Sequence, residues 1–290
     1  MSIAIFGSNG QLGQCLIKTL SRKGTKFKHY SSKEVDVSES SQILKIENPS
    51  LIINAAAYTD VDKAEIDSEN AFNINEIGPK NIALYCREHK IPLIHISTDY
   101  VFNGFLDTHY IESDTVDPLS IYGKSKLAGE LAIQKYCPKY LILRTSWVFS
   151  EFGSNFLKTM LSLSHKKQID VINDLYSTPT DGNELSKAIS NLIPIFKKSD
   201  FQSKILHFAG PESMTWFDFA SIIFDEALKS NSIAKSPRIN PISFKAYPLI
   251  ANRPLNSSLD SKYFFKITNF CHSPIKKTIR RAIKNIYLQS

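Results

Sequence analysis

Short apolar runs alternate with longer amphipathic stretches over the first two thirds of the chain. Ile3 to Phe6 reads as a first strand, and Gln11 to Leu20 as the helix after it. Lys26 to Tyr30 makes a short second strand, and Leu51 to Ala55, after Pro49, a third. Asn70 to His89 reads as a helix and Ile91 to Ser97 as a fourth strand. Leu119 to Tyr136 reads as a further helix and Tyr140 to Arg144 as a fifth strand. Strands rich in Ile, Leu and Val need cover on both faces, as strands of a parallel sheet do. The pattern therefore predicts an α/β fold, a doubly wound parallel Rossmann-type sheet with helices on both sides.

After Trp147 the pattern loosens. Phe156 to His165 looks helical, Asp170 to Ile172 extended, Glu184 to Phe196 helical and Lys204 to Phe208 another strand. From Pro211 onward turn formers and short elements dominate, with Pro237, Pro241, Pro248 and Pro254 interrupting any long pattern. This predicts a smaller C-terminal lobe over the carboxyl edge of the sheet. The expected division is a dinucleotide-binding domain over 1–146, completed by about 168–209. A substrate-binding lobe takes 147–167 and 210–290.

Composition changes this picture little. At 290 residues and 42% hydrophobic, the chain is long enough for a large core. No apolar run approaches the roughly 20 residues of a membrane span, and no secretory signal is read at the start. A cytoplasmic protein with no membrane partner is expected. Cys15, Cys86, Cys137 and Cys271 are far apart and form no C-x-x-C pair, which suits free thiols rather than a zinc site. The net charge of +7 is concentrated near the end, at Lys276, Lys277, Arg280, Arg281 and Lys284. Ile275, Ile279, Ile283 and Ile286 recur there at helical spacing. An amphipathic helix with a solvated basic face explains the run without nucleic acid.

The chemistry begins at Gly7, Gly10 and Gly13, spaced G-x-x-G-x-x-G between the first strand and the first helix. Glycine allows a tight turn and a close backbone approach to a pyrophosphate, and the helix start offers free N–H groups. Three glycines alone are a weak signal; their place after a strand and before a helix strengthens it. At the end of the second strand, Ser31, Ser32 and Lys33 stand where an NAD enzyme often carries a carboxylate. Hydroxyls and an ammonium suit a 2′-phosphate, so the expected cofactor is NADPH, with NADH also admitted. Asp36 and Val37 are placed to flank the adenine, although Asp36 could equally just cap a helix. The small side chains Ala55, Ala56 and Ala57 leave room for the nicotinamide ribose, or for close strand–helix packing.

Tyr122 and Lys126 lie four apart on a predicted helix, hence on one face. A nearby ammonium lowers a phenol's pKa and makes it a usable acid at neutral pH. Only one Tyr-x-x-x-Lys occurs among the 12 tyrosines, about what chance gives, so its slot in the fold is what matters. Ser97, Thr98 and Asp99 fall where the fourth strand ends, the edge at which open parallel sheets bind ligands, and Ser97 is expected to face the cofactor. A hydroxyl there can share a hydrogen bond with a substrate carbonyl, or merely cap the strand.

With these residues in place, the chain resembles the extended short-chain dehydrogenase/reductases. Longer strings narrow the likeness: Asn54 to Glu65, Ser97 to Phe102, Tyr122 to Glu130, Arg144 to Phe149 and Arg253 to Leu259. They resemble the dTDP-4-dehydrorhamnose reductase family over nearly the whole chain. The resemblance implies hydride transfer from NADPH or NADH to C4 of a nucleotide-linked 4-keto sugar, giving dTDP-L-rhamnose. Tyr122 would protonate the alkoxide, Lys126 would acidify Tyr122 and hold the nicotinamide ribose, and Thr98 would orient the carbonyl. Gly10, Gln11, Leu12, Asp36, Val37, Ala57, Tyr58 and Thr59 match cofactor-contacting positions. Thr98, Asp99, Tyr100 and Trp147 match sugar-nucleotide contacts, and Arg253 is the candidate for the substrate phosphates.

One departure is informative. Some members bind magnesium at a dimer interface through glutamates. Glu184 matches one such position, but Cys15 replaces another, and Asp260 is the only acidic residue after Glu226. No metal is expected, and the resemblance leaves room for a homodimer without a metal bridge. Three rivals share the fold: a reductase or epimerase of another 4-keto sugar nucleotide, a dehydratase, and a non-catalytic relative like the methionine adenosyltransferase beta subunit. A dehydratase usually has Asp-Glu after its threonine, whereas Asp99 is followed here by Tyr100, which favours simple reduction.

Overall fold

The structure is a computed structural model that describes residues 2–247 and 249–289. Pro248, one of the expected interruptions, lies outside the described residues. A parallel sheet forms the centre, built from β1 (Ile3–Phe6), β2 (Phe27–Tyr30), β3 (Leu51–Asn54), β4 (Leu93–Thr98), β5 (Tyr140–Thr145) and β6 (Lys204–His207). Their order is β6-β5-β4-β3-β1-β2, and every pairing is parallel. The winding reverses between β1 and β3, so a crevice opens there beyond the strands' carboxyl ends.

Period-2 alternation sends successive strand residues to opposite faces. Ile3, Ile5, Leu51, Ile53 and Ile94 pack on one side with Leu16 and Leu20 of helix α1 (Gln11–Arg22). Ala4, Phe6, Ile52 and Leu93 pack on the other with Ile82, Ala83 and Cys86 of α2 (Gly78–His89) and Ile133 of α3 (Ile121–Tyr136). The first face also takes Leu185, Ile189 and Leu192 of α4 (Gly182–Phe196).

Two sequence expectations need correction. The helix expected over 70–89 is three segments: Ser68–Phe72, a π-helical turn at Asn73–Ile77, and α2. Pro79 is the cause: it has no N–H for the Asn75 carbonyl four residues back. That carbonyl faces α3 at Gly129, where an added Cβ would lie 2.1 Å from it. The region after Pro211 is also more regular than its prolines suggest. It holds the 14-residue helix α5 (Trp216–Lys229), started by a capping box of Thr215 and Asp218, and the 15-residue α6 (Ile275–Gln289). Pro241 sits inside the strand Arg238–Ile242 without breaking it, because that strand pairs on one side only, with Gln168–Ile172. Phe219, Ile223 and Phe224 of α5 and Ile275, Ile279 and Ile283 of α6 form a third core with Phe149, Leu157 and Val171. This body borders the carboxyl edge of the sheet.

Candidate active site

The glycine turn fits a dinucleotide by close approach. Gly7 has φ +78°, and a Cβ on it would lie 2.6 Å from the Ala55 carbonyl carbon. A Cβ on Gly13 would lie 2.2 Å from the Gly7 oxygen, so α1 starts directly against the turn. Gly10 caps α1 without a side chain, and the first-turn N–H groups of Gln11 and Leu12 have no partner within the helix. Gly10, Gln11 and Leu12 line one end of a cavity of about 760 Å³, within the usual size of a ligand pocket. The cavity runs past Ala55, Ala57 and Thr59 to Thr98, Tyr122 and Lys126, then to Trp147, Trp216 and Arg253.

The tyrosine is held by its helix. Ser120 caps α3, accepting from the Gly123 N–H, and the Glu65 carboxylate accepts from the Ile121 N–H at 2.8 Å. Tyr122 follows, half-buried, its ring edge-on to Tyr100 at 5.7 Å. Burial pushes its phenol well above the ordinary tyrosine range, a hydrogen bond with Thr98 opposes this, and Asp99 and Tyr100 add to the rise. Thr98, buried at the end of β4, donates to Asp99 at 3.1 Å. Asp99 is pushed up to about 6 by burial, while hydroxyls of Ser257, Thr98 and Ser177 favour its charged form.

Lys126 is buried one turn further along α3. Its Nζ donates to the Ile96 carbonyl at 2.7 Å and lies 3.4 Å from His95 Nε2. Its own pKa is pulled down to about 8 by burial, with Glu130 opposing.

The cavity gathers many of the residues picked from sequence, but not all. Gly10, Gln11, Leu12, Ala55, Ala57, Thr59, Ser97, Asp99 and Tyr100 line it along with the catalytic candidates. Gly7 and Gly13 are not in its wall; Gly7 packs on Ala55, which is, and Gly13 packs on Gly7. Ser31, Ser32, Lys33, Asp36, Val37, Ala56 and Tyr58 are not in its wall. Ser31 gives both its N–H and its hydroxyl to Glu34, while Ser32 and Lys33 are exposed. A carboxylate thus does stand at the end of β2, four residues past Tyr30. Asp36 turns to the Ser38 N–H and hydroxyl, and Val37 packs on Gly78. The Ala56 N–H goes to Asn54, and the Tyr58 N–H to Asn75.

On the far side, Trp147 is half-buried with φ +38° and meets Trp216 edge-on at 5.4 Å. Arg253 lies over the Trp216 ring at 5.1 Å, and its Nη2 binds Asp62 at 2.7 Å. Among the described residues its buried Nε has no hydrogen-bond partner, nor has the Thr145 hydroxyl, and both residues line the cavity. Sequence reasoning missed Asp62, Asn75, His95 and Trp216, together with the buried Glu130–Arg144 pair. Glu130 ends one motif string and Arg144 opens the next, which was the available signal. Ser97, expected to face the cofactor, gives its hydroxyl to Glu130 at 2.5 Å.

Glu184 is held by Arg281 at 2.9 Å and Lys187 at 3.2 Å, and Cys15 is buried against Gly182. No group of three or more His, Cys, Asp or Glu suited to a metal occurs among the described residues. Nor is any described helix long and apolar enough to cross a membrane.

A wound parallel sheet with a glycine turn, a threonine and a tyrosine–lysine pair on one cavity defines the short-chain dehydrogenase/reductase class. Within it, the chain belongs to the RmlD substrate binding domain family, whose model matches residues 1–288. It is 38% identical over 264 residues to a dTDP-4-dehydrorhamnose reductase of Aggregatibacter actinomycetemcomitans, covering 89% of this chain and 90% of that one. A solved dTDP-4-dehydrorhamnose reductase of Clostridium acetobutylicum ATCC 824 superposes with a TM-score of 0.90 at 32% identity, covering all of both chains. Another, from Bacillus anthracis strain Ames in complex with NADP, superposes at 0.88 with 31% identity, covering 100% of this chain and 99% of that one.

Proposed function

We propose that this chain reduces the C4 keto group of dTDP-4-dehydro-L-rhamnose to give dTDP-L-rhamnose, with NADPH as reductant. The observation that carries the reading is the meeting of Thr98, Tyr122 and Lys126 on the cavity that begins at the glycine turn. The cradle of Gly7, Gly10 and Gly13 fits a dinucleotide, because a Cβ on Gly7 or Gly13 would fill the space where backbone meets backbone. Gln11 and Leu12 face the pyrophosphate with their N–H groups, and Ala55, Ala57 and Thr59 border the cofactor. Bound there, reduced nicotinamide supplies the hydride.

The chain's own residues do the rest. Thr98 and Tyr122 hold the keto oxygen, and Tyr122 gives it a proton as charge develops. A phenol raised by burial is fully protonated at neutral pH, as an acid must be before it acts. Thr98, which favours the phenolate, is the group here that helps it leave. Asp99, Tyr100 and Trp147 wall the sugar, and Arg253, whose buried Nε has no partner among the described residues, binds the diphosphate. The smaller lobe carries Trp147 and Arg253, and the strand Gln168–Ile172, expected in the dinucleotide-binding part, pairs instead with Arg238–Ile242 of that lobe.

NADPH over NADH rests on Ser32 and Lys33, which are exposed at the end of β2; Glu34 beside them weakens that preference and leaves NADH a usable substitute. The homologue solved with NADP favours the same cofactor. A dimer of this chain is proposed to be metal-free, since Arg281 and Lys187 occupy Glu184. The test is a panel of 4-keto-6-deoxy sugar nucleotides incubated with protein and NADPH. Consumption of NADPH is expected with the dTDP-linked L-sugar and not without sugar. Consumption only with another member of the panel would move the substrate assignment, and none at all would leave a binding protein.

A further inference from the structure

His95 is fully enclosed on β4, between Asn54 of β3 and Lys126 of α3. The mechanism above does not use it. Its protonation follows from hydrogen-bond geometry. The Ala56 N–H donates to Asn54 Oδ1 at 3.0 Å, which fixes the amide's orientation. Asn54 Nδ2 therefore points at His95 Nδ1, 3.1 Å away. An amide nitrogen only donates, so His95 Nδ1 accepts, and a neutral imidazole then carries its proton on Nε2. Nε2 faces Lys126 Nζ at 3.4 Å.

A donor here faces a group whose character depends on its charge. An ammonium has three donors and no lone pair, so Nε2–H against it is donor against donor. A neutral amine accepts that N–H with its lone pair while still donating to the Ile96 carbonyl at 2.7 Å. The imidazole cannot resolve the conflict by changing tautomer, because Nδ1–H would then meet the Asn54 NH₂. Nor does it ionise readily: burial and the Lys126 charge hold it well below the ordinary histidine value.

We propose that His95 is a positioning residue for the tyrosine–lysine pair, its Nε2–H, fixed through Asn54, disfavouring the ammonium form of Lys126. This rests on the reductase reading, since it concerns how the amine beside Tyr122 is charged. The other ionisable groups around Lys126 leave this role open. Glu130, one turn along α3, pulls the other way, but both its oxygens are engaged by Arg144 of β5 and one also by Ser97. Tyr122, one turn back, is a neutral phenol. Burial acts in the same direction, pulling Lys126 down to about 8.

The test combines a spectrum and a pH profile. In protein labelled with ¹⁵N-histidine, with His95→Gln used to assign the signal, His95 is expected as the neutral Nε2–H tautomer from about pH 6 to 9. The Nδ1–H tautomer or an imidazolium in that range would overturn the proposal. In His95→Leu the donor is gone, so the alkaline limb of kcat/KM is expected to move up by about one pH unit. A lower kcat with an unmoved limb would mean that His95 only fills space, and would also overturn it. If the wild-type protein reduces no keto sugar, the functional reading fails. The tautomer, and the titration of Lys126 followed through a ¹³C-labelled side chain in wild type and His95→Leu, still decide this inference.

Discussion

Tyr122 and Asp99 share one buried edge of the cavity and are moved in the same direction by burial, with opposite consequences. For Tyr122 the rise keeps the proton in place until the substrate oxygen claims it. Tyr122→Phe is expected to lower kcat by about 10²–10⁴-fold with NADPH affinity unchanged, measured by steady-state kinetics and by cofactor fluorescence. For Asp99 the rise affects stability. Its folded-state value of about 6 exceeds the unfolded 3.8, so its stabilising contribution is complete below 3.8 and is lost as pH rises through about 6. The loss is on the order of 3 kcal/mol for a shift of that size. Asp99→Asn is expected to flatten the fall in Tm between pH 4 and about 7 that this group causes in the wild type. Thr98, Tyr122 and Lys126 were readable from sequence because each sits at a fixed place in the strand–helix pattern. His95 was not, since a histidine within an apolar strand looks like any enclosed polar residue until its two neighbours are known. Helical spacing gives Tyr122 and Lys126 a shared face, but it does not reveal the Ile96 carbonyl that the amine reaches.

The turn from β1 into α1 has no room for a side chain, and that makes it testable. Gly13→Ala would place a methyl 2.2 Å from the Gly7 oxygen, forcing α1 away from the turn. Cofactor affinity is expected to fall at least about tenfold, read by titration with NADPH, while the far end of the cavity keeps its shape. A similar closeness ties the π-helical turn to α3, where the Asn75 carbonyl meets Gly129 and the Asn75 side chain bonds Ser125 at 3.0 Å. The strands of the sheet were legible from their apolar runs, and so were α1, α3 and the Ile-spaced α6. The broken helix before α2 was not. Its cause lies in a missing N–H at Pro79 and in a packing partner more than fifty residues away. Helix α5 went unread because flanking prolines drew attention from the spacing of Phe219, Ile223 and Ala227 and from the Thr215–Asp218 capping box.

Across the whole molecule, one cavity joins the sheet edge to the body built on α5 and α6. Asp62 spans the junction: its carboxylate accepts from the Ile250 and Ala251 N–H groups and from Arg253. The loop after β3 thereby holds the segment that presents Arg253 to the cavity. Arg253→Lys keeps the charge but loses the fork that serves Asp62 and a phosphate together. KM for the sugar nucleotide is expected to rise about tenfold with a smaller change in kcat. The motif string from Arg253 made this residue visible in the sequence; Asp62 was hidden because its partners lie almost 190 positions away.

The central claim is that hydride passes from a nicotinamide to a sugar carbonyl held by Thr98 and Tyr122. NADPH deuterated at the transferred position tests it directly. After turnover with dTDP-4-dehydro-L-rhamnose, the label is expected at C4 of the sugar in the wild-type product and nearly absent with Tyr122→Phe. Tight NADPH binding with no label in that sugar, or in any related 4-keto sugar nucleotide, would contradict it.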